Sequence, residues 1–364
     1  MSMPNHTYAL VMAGGAGSRL WPMSRNSLPK QFQYILGEET PFQHMVKLLR
    51  QVIPLEQIMV MAVPEFRHLI LEQVPGFPEA NILFEPARRD TGPAILLGML
   101  QIQERDPEAL VATVWSDHLV LDEAMFASVL KAGFATASAN PHQYVTVGAN
   151  PTKADTSLGY IQMGSSQAEY EGIEVRKVKR FVEKPDQETA NHFFQSTSYL
   201  WNVGYNVTFA KTFIEAFSES NPELSDNVSE LSSLIESGDT ASITKAYESL
   251  PKKSIDYLLV EKLTDIAVVP ADMGWSDIGT WNTLHQMMVN KLGKDVITQG
   301  PVTTTNSSQS LVFAKDKPIV LVGMKDVIVV DTGDAILVMD SNAPASQLKS
   351  IVQEQLSQTN PELL

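Results

Sequence analysis

The sequence predicts an α/β protein with a mostly parallel sheet, followed by a small all-β region. Three observations support this fold class. The 364 residues are 44% hydrophobic and 19% charged, as expected for a globular chain with an ample core. Apolar runs and helical patterns alternate up to about residue 150 at the spacing of βαβ units. After about residue 285, short apolar segments separated by Gly, Asp and Lys replace that alternation.

The strands of the predicted parallel sheet are continuous apolar runs, because a strand covered on both faces needs no polar alternation. In order, the runs are HTYALVMAGG, QIMVMAV, ANILFEP, ALVATVWSDH and QYVTVGA. Helices are predicted between them near Pro41–Val52, after Pro64, over GPAILLGMLQIQER and near Glu123–Ala139. Thr40 is placed to cap the first helix, with Pro41 at its first position.

The pattern changes after about residue 155. Antiparallel strands are predicted at GYIQM, VRKVKRFVEKP and LWNVGYNVTFA, and polar helices near residues 211–219, 228–237 and 241–249. The all-β region is predicted to contain the strands SLVFA, IVLVGM, VIVVDT and AILVMD and a helix near 346–357. The segment TQGPVTTTNSSQS is predicted to be a loop or linker. We therefore predict two domains, residues 1–284 and residues 285–364.

The composition excludes several classes of function. The net charge of −15 argues against a general nucleic-acid-binding protein, which needs a basic surface. No run approaches the roughly 20 apolar residues of a membrane span, and MSMPNHTYAL lacks the features of an export signal. The absence of cysteine excludes disulfides, zinc–thiolate sites, iron–sulfur clusters and thiol nucleophiles. We expect no nucleic-acid or membrane partner and a cytoplasmic location.

One loop, within LVMAGGAGSRLWPMSRNSLPKQF, combines glycines with positive charge. No Asp or Glu precedes Glu38, whereas the same stretch carries Arg19, Arg25 and Lys30. The glycines let backbone N–H groups face a ligand at the carboxyl end of the first strand, where such sheets bind ligands. Arg19 and Lys30 add full charges that suit a polyphosphate and a leaving pyrophosphate. The alternative is a glycine-rich turn with solvated basic residues.

Two other phosphate-binding loops do not match this segment. A Walker A loop needs Gly-Lys-Ser/Thr after its glycines, and the chain has no such tripeptide. The dinucleotide pattern G-x-G-x-x-G fails because, counted from Gly15, the sixth position is Leu20. An NAD-dependent dehydrogenase is therefore disfavoured.

The loop closely resembles the amino-terminal signature of bacterial mannose-1-phosphate guanylyltransferases, members of the sugar-phosphate nucleotidylyltransferase family. That signature reads G-G-x-G-[ST]-R-L-W-P, then S-R, then P-K-Q-F. Further matches follow in order over about residues 8–282: EPARRDTGPA, SDH, GYI, FVEKP, LWNVGYN, SIDYLLVEK and GWSDIGTW. The resemblance implies a Rossmann-like nucleotidyltransferase domain that uses Mg²⁺ to transfer GMP from GTP to mannose 1-phosphate, giving GDP-mannose and pyrophosphate.

The resemblance also implies roles for individual residues. The expected catalytic residues are Arg19, Lys30, Lys184, Asp117 and Asp277, with Asp117 and Asp277 as the metal ligands. The expected nucleotide-binding residues are Gly14, Gly15, Gly17, Ser18, Glu85, Asp90 and Thr91, and the expected sugar-binding residues are Gly159, Glu183 and Asn202. Lys184 would bind the sugar phosphate. Because that phosphate is already an anion, the reaction needs no general base, and we read His118 as a neighbour rather than a ligand.

Most of these residues could instead have an ordinary structural role. Asp117 or Asp277 alone would more often be a cap or turn residue, and Glu183 with Lys184 could be an exposed ion-paired strand end. Glu85 is the candidate for guanine because a carboxylate can accept hydrogens from N1 and N2 together. Trp201 is as suited to the core as to a binding platform.

Several positions depart from the family pattern. The chain has DTGPA at residues 90–94 where the family usually has NTAPA, Trp115-Ser116 before the Asp-His pair, and Tyr205-Asn206 where Phe is common. These departures bear on base and sugar selectivity rather than on the reaction class. No histidine follows His285, so the isomerase activity of relatives with a carboxyl-terminal cupin is not expected.

Alternatives to this function remain open at this point. One is a nucleotidylyltransferase for another sugar 1-phosphate or another nucleotide. A second, from a different class, is a non-catalytic nucleotide-sugar sensor, which would be expected to lose Arg19, Lys30, Asp117 or Asp277. The all-β region either packs on the catalytic domain or pairs two copies of the chain into a homodimer, and the sequence does not choose.

Overall fold

The computed structural model describes residues 6–15, 18–35 and 37–364 and contains two compact units. The first unit comprises the chain up to Gly14 together with Met45–Ser116 and Asp122–Trp275. The second comprises Gly15–His44, Asp117–Leu121 and Ser276–Leu364. Residues 15–44 thus belong to the same compact unit as the carboxyl-terminal strands, and the domain bounds 1–284 and 285–364 stay a prediction.

The strands are numbered in chain order. They are β1 Thr7–Met12, β2 Ile58–Ala62, β3 Ile82–Phe84, β4 Leu110–Trp115, β5 Leu119–Val120, β6 Tyr144–Ala149, β7 Tyr160–Tyr170, β8 Ile173–Val182, β9 Tyr199–Phe209, β10 Ile266–Ala271, β11 Trp275–Ser276, β12 Val296–Gln299, β13 Val302–Thr305, β14 Ser310–Phe313, β15 Ile319–Val322, β16 Val327–Asp331 and β17 Ile336–Asp340.

The helices are numbered in the same way. They are α1 Pro41–Leu49, α2 Arg67–Gln73, α3 Thr91–Arg105, α4 Glu123–Ala139, α5 Gln187–Gln195, α6 Ala210–Ser220, α7 Ser225–Ser237, α8 Thr240–Ser249, α9 Ile255–Leu258, α10 Trp281–Leu292, α11 Ala345–Ile351 and α12 Ser357–Thr359. The predicted cap of α1 is confirmed: the Thr40 hydroxyl accepts from Gln43 N at 3.1 Å, and Gln43 Oε1 accepts from Thr40 N at 2.9 Å. Among the described residues, no helix has both the length and the apolarity to cross a membrane.

The first unit is built on a nine-stranded sheet in the order β3-β2-β1-β4-β9-β6-β10-β8-β7. The ladders β1–β2, β2–β3, β1–β4 and β6–β10 are parallel, whereas β8 and β9 pair antiparallel with their neighbours. All the other strands of this described sheet therefore run in one direction. The prediction of a mostly parallel sheet is confirmed, as are the antiparallel strands after residue 155.

The core of the first unit fixes where α3 begins. This helix is buried along most of its length, including Ile95, Leu97 and Met99, so it packs as an internal element. Gly98 lets it approach β1 closely, because a Cβ there would lie 2.6 Å from Leu10 Cδ2. The tight packing places the amino terminus of α3, at Thr91, just after the carboxyl end of β3.

The carboxyl-terminal strands of the second unit form a coil of short, mostly parallel strands. Helix α10 precedes this coil, and α11 and α12 follow it. The ladders β12–β14, β14–β16 and β13–β15 are parallel, and β17 closes the sheet antiparallel to β16. The prediction that TQGPVTTTNSSQS forms a loop is wrong for β13. Its Thr side chains lie exposed, and its backbone partners come from β15 rather than from a neighbouring hairpin strand, so the local sequence carries no alternation to detect.

The signature loop packs in this second unit. Trp21 and Leu20 are buried in one apolar cluster with Trp281, Phe313 and Ile328. The Trp281 indole donates to the Trp21 carbonyl at 2.9 Å. The loop that the sequence marks as functional is thus held by side chains from the carboxyl-terminal third of the chain.

Candidate active site

Lys30 is the centre of the candidate residues in the second unit. It begins a single 3₁₀ turn after Pro29 and is 8% exposed. Its ammonium donates to the carbonyls of Asp277 at 2.8 Å and Ile278 at 3.3 Å, and it pairs with Asp117 Oδ2 at 2.9 Å. An ammonium has three hydrogens, so all of them are engaged. The lysine joins three separate segments of this unit, and we call Lys30, Asp117 and Asp277 the lysine–aspartate cluster.

The environment of the cluster keeps its acid charged and its histidine neutral. Burial alone would raise the pKa of Asp117, but the charge of Lys30 and the hydrogen bonds to the carboxylate together outweigh burial and hold the pKa below the ordinary value. Burial lowers the pKa of His118 to about 4, although Asp117 and Asp277 act in the opposite direction. His118 is therefore uncharged at neutral pH, so the cluster's positive charge comes from Lys30.

Asp277 lies in a tight turn that leaves room for its carboxylate. Its Oδ1 accepts from Gly279 N at 3.2 Å, and a Cβ on Gly279 would lie 2.7 Å from Oδ2. Ile278 between them has a φ of 41°, a left-handed conformation that a β-branched residue rarely adopts. The turn therefore holds the Asp277 carboxylate by one hydrogen bond and leaves space for its second oxygen.

Two aspartates fit a magnesium ion better than a metal that needs many protein ligands. Among the residues that the structure describes, no group of three or more His, Cys, Asp or Glu is placed to hold a metal. Mg²⁺ commonly takes one or two carboxylates and completes its octahedron with phosphate and water oxygens. Asp117 and the Asp277 carbonyl share Lys30, so both residues lie at one place in this unit.

The glycine loop is described in part. Gly15 is exposed and its carbonyl accepts from Gln31 Nε2 at 3.1 Å, which ties the loop to the segment beside Lys30. Arg19 is exposed in the 3₁₀ turn Ser18–Leu20. Gly17 and the side chain of Ser18 lie outside the described residues.

In the first unit, Glu85 is buried at the carboxyl end of β3. Its Oε1 accepts from the Tyr247 hydroxyl at 2.8 Å and from Arg89 N at 3.0 Å. Burial and then the Glu85 charge raise the pKa of Tyr247. A Cβ on Gly14 would lie 3.7 Å from Glu85 Oε2, so the second oxygen faces the backbone of Gly14. Glu85 thus has one oxygen fixed by the fold and one directed toward the start of the glycine loop.

Asp90 and Thr91, predicted to bind nucleotide, both carry structural contacts. Asp90 precedes α3 with a φ of 67°, and its carboxylate accepts from Thr91 N at 2.7 Å. The Thr91 hydroxyl accepts from Ile255 N at 2.9 Å, which links the start of α3 to α9. These hydrogen bonds are those of a helix terminus, and a role in nucleotide binding stays a prediction.

The residues predicted to bind sugar converge elsewhere in the first unit. Glu183 is almost fully buried, and the half-exposed Lys184 pairs with it at 2.5 Å. Lys184 has a φ of 44°, an unfavourable conformation that its surroundings enforce. A Cβ on Gly159 would lie 2.5 Å from Glu183 Oε2 and 3.4 Å from the Asn202 Cβ, so Gly159 is pressed against both residues.

Asp256 completes this group, and the sequence does not predict it. Asn202 Nδ2 donates to Asp256 Oδ1 at 3.3 Å. Burial and the charge of Glu183 raise the pKa of Asp256 to about 7, against the opposing charge of Lys184. We call Gly159, Glu183, Lys184, Asn202 and Asp256 the sugar-side cluster. The signal for Asp256 in the sequence is the segment SIDYLLVEK, which contains this residue but says nothing about its neighbours.

Two tryptophans, Trp201 and Trp115, are held by packing and hydrogen bonding within the first unit. Trp201 is buried in an apolar cluster with Tyr160 and Phe193, which places it in the core. Trp115, one of the departures from the family pattern, donates from its indole to the Gly204 carbonyl at 3.0 Å. Gly204 has a φ of 76°, and a Cβ there would lie 2.4 Å from Trp115 Nε1, so this glycine accommodates the large side chain.

The parallel sheet and the glycine loop, with the lysine–aspartate cluster and the sugar-side cluster, are the features expected of an enzyme that transfers nucleotidyl groups. A family model described as Nucleotidyl transferase matches residues 8–293, and one described as MannoseP isomerase/GMP-like beta-helix domain matches residues 300–355. The chain belongs to the nucleotidyl transferase family, and the predicted family resemblance is confirmed.

Individual relatives agree over nearly the whole chain. Mannose-1-phosphate guanylyltransferase of Escherichia coli (strain K12) is 34% identical over 354 residues, which are 95% of this chain and 73% of that protein. Xanthan biosynthesis protein XanB of Xanthomonas campestris pv. campestris (strain B100) is 34% identical over 337 residues, 90% of this chain and 69% of that protein. A crystal structure of mannose-1-phosphate geranyltransferase from Thermus thermophilus is 28% identical with a TM-score of 0.85, covering 96% of this chain and 98% of that one.

Proposed function

We propose that this chain transfers GMP from GTP to mannose 1-phosphate, giving GDP-mannose and pyrophosphate. The observation that carries the proposal is the sugar-side cluster, in which Glu183 and Asn202 offer polar groups for hydroxyls and Lys184 offers a cation for a phosphate. The identity with the Escherichia coli relative, named for this reaction, supports the same choice of substrates.

The chemistry needs only alignment and charge neutralisation. A phosphate oxygen of mannose 1-phosphate attacks the α-phosphorus of GTP and forms the new P–O bond. The bond from the α-phosphorus to the bridging oxygen breaks, and that oxygen leaves with the electron pair as pyrophosphate. Because the nucleophile is already ionised, no side chain has to remove a proton.

The lysine–aspartate cluster is assigned to the phosphates. Asp117 and Asp277 would hold Mg²⁺, which would supply charge neutralisation for the phosphate oxygens and the departing pyrophosphate. Lys30 keeps Asp117 ionised and fixes the backbone of Asp277 and Ile278, so the carboxylates are in place before substrate arrives. Arg19, exposed on the loop, is assigned to the triphosphate.

Glu85 is assigned to the guanine base. With Oε1 held by Tyr247 and Arg89 N, Oε2 is the oxygen that would accept from guanine N1–H or N2–H₂. Adenine has no donor at N1, so it would leave a buried carboxylate oxygen without a partner. This difference would favour GTP over ATP.

One experiment tests the reaction and its alternatives. Purified protein with Mg²⁺ is incubated with each of four NTPs against mannose, glucose and glucosamine 1-phosphates, and pyrophosphate release is measured. We expect release with GTP and mannose 1-phosphate. Release with a different pair assigns another sugar or nucleotide, and no release from any pair refutes the enzyme and favours a nucleotide-sugar sensor. The homodimer and the cytoplasmic location stay predictions.

A further inference from the structure

The orientation of the Asn202 amide is set by the protein. Its Oδ1 accepts from Gly204 N at 3.1 Å and lies 3.2 Å from the Thr146 hydroxyl, whose single hydrogen is shared with the Tyr205 carbonyl at 3.2 Å. A backbone N–H can only donate, so the amide oxygen must face Gly204 and the amide nitrogen must face the other way. Asn202 can therefore offer a substrate only an N–H, and one of its two hydrogens already goes to Asp256.

Among the hydrogen bonds of the described residues, the Asn202 amide nitrogen has one acceptor, the carboxylate of Asp256. Its charged and titratable neighbours are Glu183 and Lys184, which both follow the end of β8, and Tyr144 at the start of β6. Burial and Glu183 favour the protonated acid, and Lys184 favours the ionised one. An ionised Asp256 accepts from Asn202 strongly, whereas a protonated one accepts more weakly.

We propose that Asp256 is a positioning residue for the sugar phosphate: its ionised carboxylate fixes the Asn202 amide so that the second N–H of Asn202 is held for a hexose hydroxyl. This inference rests on the proposed function and deepens it, because it assigns a residue that controls sugar binding without itself contacting the reacting phosphates. It makes the KM for the sugar phosphate, and not the KM for GTP, depend on the protonation of Asp256.

The kinetic test compares Asp256→Ala and Asp256→Asn with wild type and with the exposed control Asp272→Asn. At pH 8 we expect Asp256→Ala to raise the KM for mannose 1-phosphate about tenfold, with the KM for GTP unchanged. Asp256→Asn restores part of the loss, since its amide oxygen can still accept. Between pH 6 and pH 8 the wild-type KM falls several-fold more than that of Asp256→Asn, which lacks the ionisation of Asp256.

A second measurement does not depend on catalysis. The side-chain amide resonance of Asn202, assigned by its loss in Asn202→Ser, is followed by NMR from pH 5 to pH 9. We expect it to titrate in wild type and to stay constant in Asp256→Asn. A constant wild-type resonance, or equal changes in both KM values, overturns the inference. If wild type releases no pyrophosphate from any substrate pair, the proposed function fails, and the resonance still decides whether Asp256 controls Asn202.

Discussion

The lysine–aspartate cluster and the sugar-side cluster contain the same residue types, but the pKa of an aspartate is lowered in the first and raised in the second. Each pairs one lysine with carboxylates. Lys30 is buried and bonded to two carbonyls and one acid, and the pKa of Asp117 is lowered. Lys184 is half-exposed and bonded to Glu183, and the pKa of the neighbouring Asp256 is raised to about 7.

The difference follows from which group the lysine is bonded to. In the first cluster the cation contacts the acid in question directly, so its charge and the hydrogen bonds to the carboxylate together exceed the cost of burial. In the second the cation is bonded to Glu183, and Asp256 faces burial and a like charge with less compensation. A cluster that stays charged suits a metal and phosphates, whereas the sugar-side cluster combines one cation for the sugar phosphate with polar groups for the sugar hydroxyls.

The largest expected effect is the loss of turnover in Asp277→Asn. An amide oxygen can still accept from Gly279 N, so the turn is preserved, but the negative charge that would hold Mg²⁺ is removed. We expect kcat to fall by about 10³-fold with a nearly unchanged Tm. The measurements are pyrophosphate release and thermal unfolding.

The control for this prediction is Asp272→Asn, an exposed aspartate on the same stretch of chain. It should keep wild-type kcat. Normal activity in Asp277→Asn would show that Asp277 does not hold the metal, and the lysine–aspartate cluster would then have no metal-binding role that sets it apart from the sugar-side cluster.

The second effect is on folding stability, in Lys30→Met. The variant keeps the volume of the side chain but leaves Asp117 without its cation and two carbonyls without a donor. We expect the free energy of unfolding to fall by about 3 kcal/mol. Lys47→Met, which breaks the exposed pair with Glu123 at 3.1 Å, should cost less than about 1 kcal/mol. Equal losses in denaturant titrations would show that the Lys30 contacts have no special weight.

The third effect is on sugar binding, in Gly159→Ala. The new methyl would meet Glu183 Oε2 at 2.5 Å and force that carboxylate to move. We expect the KM for mannose 1-phosphate to rise about tenfold and the KM for GTP to stay constant. Ser166→Thr adds one methyl at an exposed position of β7, the strand that follows Gly159, and should change neither value. A rise in both KM values for Gly159→Ala would point to a general distortion of the sheet.

Sequence patterns predict the regular elements well because each is signalled locally. The α4 bounds of Glu123–Ala139 follow from an Asp122 cap and a continuous helical pattern, and α1 begins at Pro41 as its cap requires. The parallel coil of the second unit is only partly predicted. Its partners lie a full coil away in sequence, so β13 shows neither alternation nor a hairpin turn.

The candidate site shows the same limit. Motifs mark Lys30, Asp117 and Asp277 one by one, but only the fold shows that all three hydrogens of Lys30 are used. Asp256 could not be found from its own segment, since its importance comes from Asn202 on β9 and Glu183 after β8. Contacts between distant segments decide protonation, and no local pattern encodes them.

The last expected effect is a change in how stability depends on pH, and it tests the contrast between the clusters directly. Asp256 has a pKa of about 7 in the folded chain and an ordinary lower value when unfolded, so between about pH 4 and pH 7 the folded state holds the extra proton. The free energy of unfolding of wild type should therefore fall, relative to Asp256→Asn, as pH rises through this window, by on the order of 1 kcal/mol per pH unit. Above pH 7 the two curves should run parallel. Urea titrations from pH 4 to pH 8 measure the difference, and curves that stay parallel throughout would mean that Asp256 is ionised like Asp117, so that both clusters handle charge in the same way.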